Sequence, residues 1–77
     1  NLDELEENIR NLGYDCACTG NDEKIKIFLT NSKYKKYLKK YVPEITSIHP
    51  SGFIFETIDS IPRSNNGKVL YSTLNSL

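Results

Sequence analysis

The residues with the richest chemistry lie near the end of the chain, in Ile61-Pro62-Arg63-Ser64-Asn65-Asn66-Gly67-Lys68. Asn-Gly is a strong turn signal, and glycine admits the left-handed backbone angles that tight turns need. A proline at the base stiffens such a turn. A loop of this kind holding two cations, Arg63 and Lys68, can bring an ammonium group up to a phosphate or a carboxylate. It is not a P-loop, because the glycine spacing and the Gly-Lys-Ser/Thr ending are missing. A plain surface turn followed by a solvated lysine explains the same residues, and their types alone leave both readings open.

The other candidates carry less. Cys16 and Cys18 flank Ala17 in an expected strand, so both side chains point to one face. Their Cα atoms then sit roughly 6.5–7 Å apart, too far for an easy disulfide. His49 is the single histidine, and nothing else clusters at zinc-ligand spacing, so no metal site is expected. The cysteines read as buried, reduced thiols, which points to a reducing, cytoplasmic setting. His49 precedes Pro50 with no nucleophile or second ligand beside it. Lys33, Lys35, Lys36, Lys39 and Lys40 suggest a phosphate-backbone surface. Against this, Lys+Arg and Asp+Glu number 10 each, so the chain is formally neutral. The lysines then read as the solvated face of a helix, with no nucleic-acid partner.

The elements that position these residues follow from periodicity. Leu2, Leu5, Ile9 and Leu12 repeat at helical spacing with acidic residues between them. Asn1 or Asp3 suits the cap, each with a glutamate three positions on, and Gly13 suits the end. Tyr14 to Thr19 reads as a strand, Gly20-Asn21-Asp22 as a turn, and Glu23 to Thr30 as a second strand. Ile25, Ile27 and Leu29 take one face of that strand, and Phe28 takes the other. The two strands are close enough for an antiparallel hairpin.

Asn31 or Ser32 caps a second helix, expected from Lys33 to about Tyr41 and stopped by Pro43. Its apolar stripe is Tyr34, Tyr37, Leu38 and Tyr41, expected to pack as core. Gly52 to Ile58 reads as a third strand, with Phe53 and Phe55 opposite Ile54. Ser72 to Leu77 reads as a last helix. The order predicts a small α+β domain, a three-stranded sheet made of an antiparallel hairpin and a third strand, flanked by helices.

Length bounds the function. A chain of 77 residues is one small domain. It buries only about 60% of its unfolded surface, which leaves little room for a deep, walled active site. No apolar run exceeds three residues, so no membrane span is expected. The acidic opening, Asn1 to Glu7, is unlike a signal peptide.

The closing segment resembles the C-terminal signature of the adenylate-forming superfamily: acyl-CoA and aryl-CoA synthetases, peptide-synthetase adenylation domains and firefly-type luciferases. That signature is a proline, four residues, Gly-Lys, an apolar residue and a leucine-containing helix. Pro62, Gly67, Lys68, Val69 and Leu74 fall on it. Leu5 to Ile9 resembles the helix after the family's hinge, and Cys16 to Thr30 resembles its hairpin. The second helix with Val42-Pro43, then Pro50 and Phe53, resembles the approach to its third strand. Two departures stand out. The hinge itself, with its acidic pivot and Gly-rich turn, is not in this sequence. Leu70 and Tyr71 occupy places where a basic residue often follows the lysine.

The resemblance implies that residues 1–77 are the C-terminal lid of an ATP-dependent, AMP-forming ligase. Such an enzyme joins a carboxylic acid to ATP as an acyl-adenylate, then passes the acyl group to a thiol. The resemblance implies Lys68 as the catalytic lysine of the adenylation step and Gly67 and Arg63 as cofactor-binding residues. ATP, Mg2+ and CoA, or carrier-protein pantetheine, are implied for the whole enzyme, and none for this segment alone, which is expected to be inactive by itself. The partners implied are the enzyme's own large N-terminal domain, a carboxylic-acid substrate, and CoA or an acyl carrier protein. The Ile-Pro-Arg-Ser form of the loop resembles the CoA synthetases more than the peptide-synthetase modules. Two alternatives stand beside this: a non-catalytic interaction module of the same fold, and a small nucleic-acid binder using the Lys-rich helix.

Overall fold

The computed structural model describes residues 1–21 and 23–77. Asp22, part of the expected Gly20-Asn21-Asp22 turn, lies outside the described residues. The first helix, α1, spans Leu2–Asn11. Asn1 caps it, its side-chain oxygen accepting from the N–H groups of Asp3 at 2.9 Å and Glu4 at 3.2 Å. Asp3 and Glu4 in the first turn suit the positive end of the helix dipole. Leu12 is the C-cap, and Gly13 at φ +95° turns the chain away. That left-handed angle is one a side-chain-bearing residue rarely adopts.

Strands β1 (Cys16–Gly20) and β2 (Ile25–Leu29) form the expected antiparallel hairpin, with Cys16 opposite Leu29 and Cys18 opposite Ile27. Helix α2 spans Lys35–Thr46 and leads to β3, Phe53–Thr57. Strand β3 lies parallel to β2, Ile27 opposite Phe55, giving the sheet order β1-β2-β3. A parallel pair needs a crossover longer than a hairpin turn, and α2 supplies it. A final short helix, α3, spans Tyr71–Asn75. The molecule is therefore an α+β fold with a three-stranded mixed sheet and three α-helices among the described residues.

Helix α2 departs from expectation at both ends. Asn31 caps a short 3-10 turn, Ser32–Tyr34, before the α-helix begins at Lys35. Pro43 does not stop the helix, which runs three residues past it. The bond that proline removes would have gone to the carbonyl of Lys39, an exposed residue, where solvent can take its place. The last turn is held otherwise: Val42 is fully buried, and the Thr46 hydroxyl donates to the Val42 carbonyl at 2.8 Å. Ser47, left-handed at φ 58°, then closes the helix by donating its N–H to Pro43 at 2.9 Å.

The tyrosine stripe is also corrected. Leu38 and Val42 face the sheet, while Tyr34 and Tyr37 are 38% and 49% exposed. Rotation toward the smaller aliphatic side chains moves the tyrosines to the rim. There Tyr34 stacks on Tyr14 at 4.2 Å and Tyr37 on Tyr41 at 5.6 Å between ring centroids. The last helix ends before Leu77, which is 63% exposed, while Leu74 packs inward.

The sheet has two covered faces. Cys16, Cys18, Ile27, Leu29 and Phe53 meet Leu5 and Ile9 of α1 and Leu38 and Val42 of α2. On the opposite face Ala17 and Phe28 meet Ile61 and Leu74, with Ile58 and Val69 at the margin. Phe28 is wholly buried there, opposite Ile27 and Leu29 as the alternation requires.

Candidate functional site

Residues 62–70 form a small hairpin after β3. Arg63 and Val69 make an antiparallel bridge, and the Leu70 N–H donates to the Pro62 carbonyl at 2.9 Å. At the tip, the Gly67 N–H donates to the Ser64 carbonyl at 2.9 Å, and the Ser64 N–H donates to the Lys68 carbonyl at 2.8 Å. The Ser64 hydroxyl reaches Asn66 Oδ1 and also accepts from the Lys68 N–H, so it ties the loop from inside. Gly67 sits at φ +85° with nothing within 4 Å of where a Cβ would lie. Its role is therefore the backbone angle alone, as the Asn-Gly signal implies.

Lys68 follows directly and is exposed. Among the described residues no carboxylate lies within ion-pair distance of it. It lines an open groove with Arg10, Arg63, Gly67, Val69 and Tyr71. The hairpin thus brings Gly67, Lys68 and Arg63, the three residues singled out from the sequence, to one side of the molecule.

Arg63 is not free. Its guanidinium grips Asp15 with two bonds, Nη2 to Oδ1 at 2.8 Å and Nη1 to Oδ2 at 3.3 Å. The bonds from Arg63 hold the Asp15 carboxyl below its ordinary value, and Asp15 in return raises Arg63. Arg10 and Tyr71 enter the groove from a second network that the sequence reading missed. Its centre is Glu6, 2% exposed despite its charge. The Glu6 carboxylate accepts the Cys18 N–H at 2.7 Å and forms an ion pair with the Arg10 guanidinium at 3.1 Å. The Tyr71 hydroxyl lies 2.9 Å from both Glu6 oxygens. Burial first, then the bond to Glu6, pushes the Tyr71 phenol up to about 12. Arg10 also donates to the Cys16 carbonyl at 3.0 Å.

The physical logic is clear. Strand β1 is an edge strand, and the Cys18 N–H and Cys16 carbonyl on its outer side have no neighbouring strand. Glu6 and Arg10, one turn apart on α1, satisfy both. The sequence did carry a signal: Glu6 lies four after Leu2 and three before Ile9, inside the apolar stripe. A charged residue at such a position needs a partner, and here it has three.

The remaining candidates play local roles. Cys16 and Cys18 are free, buried thiols. The contact with Cys16, then burial, holds the Cys18 thiol well above its ordinary value, so it stays protonated and unreactive. His49 caps the short turn Pro50–Gly52, its Nδ1 accepting from the Ser51 N–H at 3.1 Å. Among the described residues no three His, Cys, Asp or Glu side chains gather as a metal-ligand set. No helix among them is long and apolar enough to cross a membrane.

What the groove offers chemically is one ammonium without an ion-pair partner among the described residues, beside two guanidiniums whose charges are partly met by Asp15 and Glu6. That arrangement suits an anionic group such as a phosphate or carboxylate. No family model, curated protein or solved structure matches the chain.

Proposed function

We propose that this chain is the C-terminal lid of an ATP-dependent, AMP-forming acid–thiol ligase, in which Lys68 supplies the positive charge for the adenylation step. The observation that carries the reading is Lys68 itself. It stands exposed, with no ion-pair partner among the described residues, just after the left-handed Gly67 of a closed hairpin. The order Pro62, Gly67, Lys68, Val69 and then Leu74 in a helix adds the resemblance in sequence.

In this reading the carboxylate of an acid substrate attacks the α-phosphate of ATP, and pyrophosphate leaves. Negative oxygens of both groups are forced together, and an ammonium at that point offsets the repulsion and holds the geometry. Arg63 adds positive charge at the same edge, and Gly67 allows the close turn. ATP, with its Mg2+, and the acid sit on a large N-terminal domain. CoA, or the pantetheine of a carrier protein, accepts the acyl group after the lid has rotated away from the adenylation pose. The lid works inside a cell's reducing cytoplasm, in keeping with its two reduced thiols.

The test is acid-dependent pyrophosphate exchange in the protein carrying this chain, across a panel of carboxylic acids. Lys68→Ala is expected to lower exchange by about 10²-fold, the usual cost of one preorganised stabilising group. Full exchange in that variant overturns the assignment.

One observation favours a second reading, a non-catalytic interaction module. Tyr34 and Tyr37 are exposed beside the lysines of α2, and tyrosines at a surface are frequent anchors of protein interfaces. Activity that depends on Lys68 but not on Tyr37 separates the first reading from this one.

A further inference from the structure

The hairpin that carries Lys68 has little to hold its direction by packing alone. Ile61 at its base is buried, but Val69 is only half-buried and residues 65 to 68 are exposed. Its orientation comes instead from polar contacts on each side of the turn. Five residues before Lys68, Arg63 is held by Asp15 in the connection between α1 and β1. Three residues after it, Tyr71 is held by Glu6 on α1. Glu6 is itself fixed, because it accepts the Cys18 N–H of β1 and is ion-paired with Arg10. A short path therefore runs from the rigid sheet edge, through Glu6 and Tyr71, to Lys68.

Resting on the reading of Lys68 given above, we infer that Asp15 and Glu6 are positioning residues, which fix the approach of Lys68 by holding its hairpin through Arg63 and Tyr71. Two tethers on opposite sides of a turn restrict its swing more than either alone. The Asp15–Arg63 pair is largely exposed, and such pairs contribute little to folding. Its consequence is directional. A reacting group displaced by about 1 Å loses on the order of 10²-fold in rate, so a small loosening is visible in catalysis before it is visible in stability.

The decisive variants avoid Glu6, whose loss would strip the β1 edge. Tyr71→Phe keeps the ring and removes only the hydroxyl. Asp15→Ala breaks the second tether while leaving Arg63 in place, and Asp15→Glu keeps a carboxylate for Arg63. Two readouts are made in the protein carrying this chain. The first is amide hydrogen exchange. In Tyr71→Phe the Ser64, Gly67 and Leu70 amides should exchange about tenfold faster, while that of Ile27 in β2 stays within about twofold. Unchanged hairpin exchange overturns the inference, and so does acceleration of hairpin and Ile27 together, which marks a merely structural role.

The second readout is pyrophosphate exchange. Tyr71→Phe and Asp15→Ala should each lower kcat by about tenfold with KM for ATP within about twofold. The conservative Asp15→Glu should recover most of the loss seen in Asp15→Ala. Loss of activity in Lys68→Ala with normal activity in Tyr71→Phe and Asp15→Ala overturns the positioning inference alone. Normal activity in Lys68→Ala overturns the reading it rests on.

Discussion

One face of the sheet is covered by two helices, with Leu5 and Ile9 from α1 and Leu38 and Val42 from α2 closing over Ile27, Leu29 and both cysteines. The other face receives only Ile61 and Leu74 over Ala17 and Phe28, with Ile58 and Val69 at its margin. The first side is a packed core to which both α1 and α2 contribute. The second is a thin layer contributed by the last segment, and it carries the Lys68 hairpin. The difference separates two tasks. Apolar packing on the thick side specifies the fold, and polar tethers on the thin side aim a cation.

The largest expected effect lies on the thick side. Leu38 is wholly buried, so Leu38→Ala leaves a cavity between α2 and the sheet and should cost about 3–4 kcal/mol in a urea titration. Leu74→Ala, in the smaller cluster and on a five-residue helix that can settle inward, should cost nearer 2 kcal/mol. Equal losses at the two sites would dissolve the distinction between the faces.

Gly67→Ala comes next. The Cβ meets nothing, so the cost is the left-handed backbone alone, about 1–2 kcal/mol at the hairpin. Thermal melts should show this as a modest drop in Tm. A neutral substitution would mean the turn adopts another angle.

The smallest effect is electrostatic. Asp15 has a native pKa below its ordinary 3.8, chiefly through its bonds from Arg63. A depressed carboxylate stabilises the fold above the unfolded value, and that contribution disappears as pH falls through the native value. Between pH 5 and pH 2 the parent protein should therefore lose slightly more stability than Asp15→Asn, by under about 1 kcal/mol, because the pair is exposed. Parallel acid limbs would remove the tether from the account.

Much of this was legible in the residues themselves. The strand faces followed from alternation: Ile25, Ile27 and Leu29 turned one way and Phe28 the other. The turn at Gly67 followed from Asn-Gly, and the reduced thiols followed from their spacing. Pro43 was misleading because a proline weakens a helix locally, whereas burial of Val42 and the Thr46 bond act across its whole last turn. Tyr34 and Tyr37 misled because a helical stripe does not say which of its members faces the sheet. The Glu6 network was hidden for a different reason. Cys18, Tyr71 and Arg10 meet at Glu6 only once α1 lies along the edge of β1, and no local pattern states that docking. The groove's cations, Arg10, Arg63 and Lys68, are likewise assembled by the fold from distant parts of the chain.

The most direct test of the central claim divides the proposed reaction at its intermediate. With Lys68→Ala in the protein carrying this chain, formation of the acyl-adenylate from acid and ATP should fall by about 10²-fold. Transfer of the acyl group from supplied acyl-adenylate to the thiol should stay close to the parent rate, because the proposal has Lys68 act in the first half-reaction alone. Equal loss in both half-reactions, or loss in neither, would contradict the role given to Lys68.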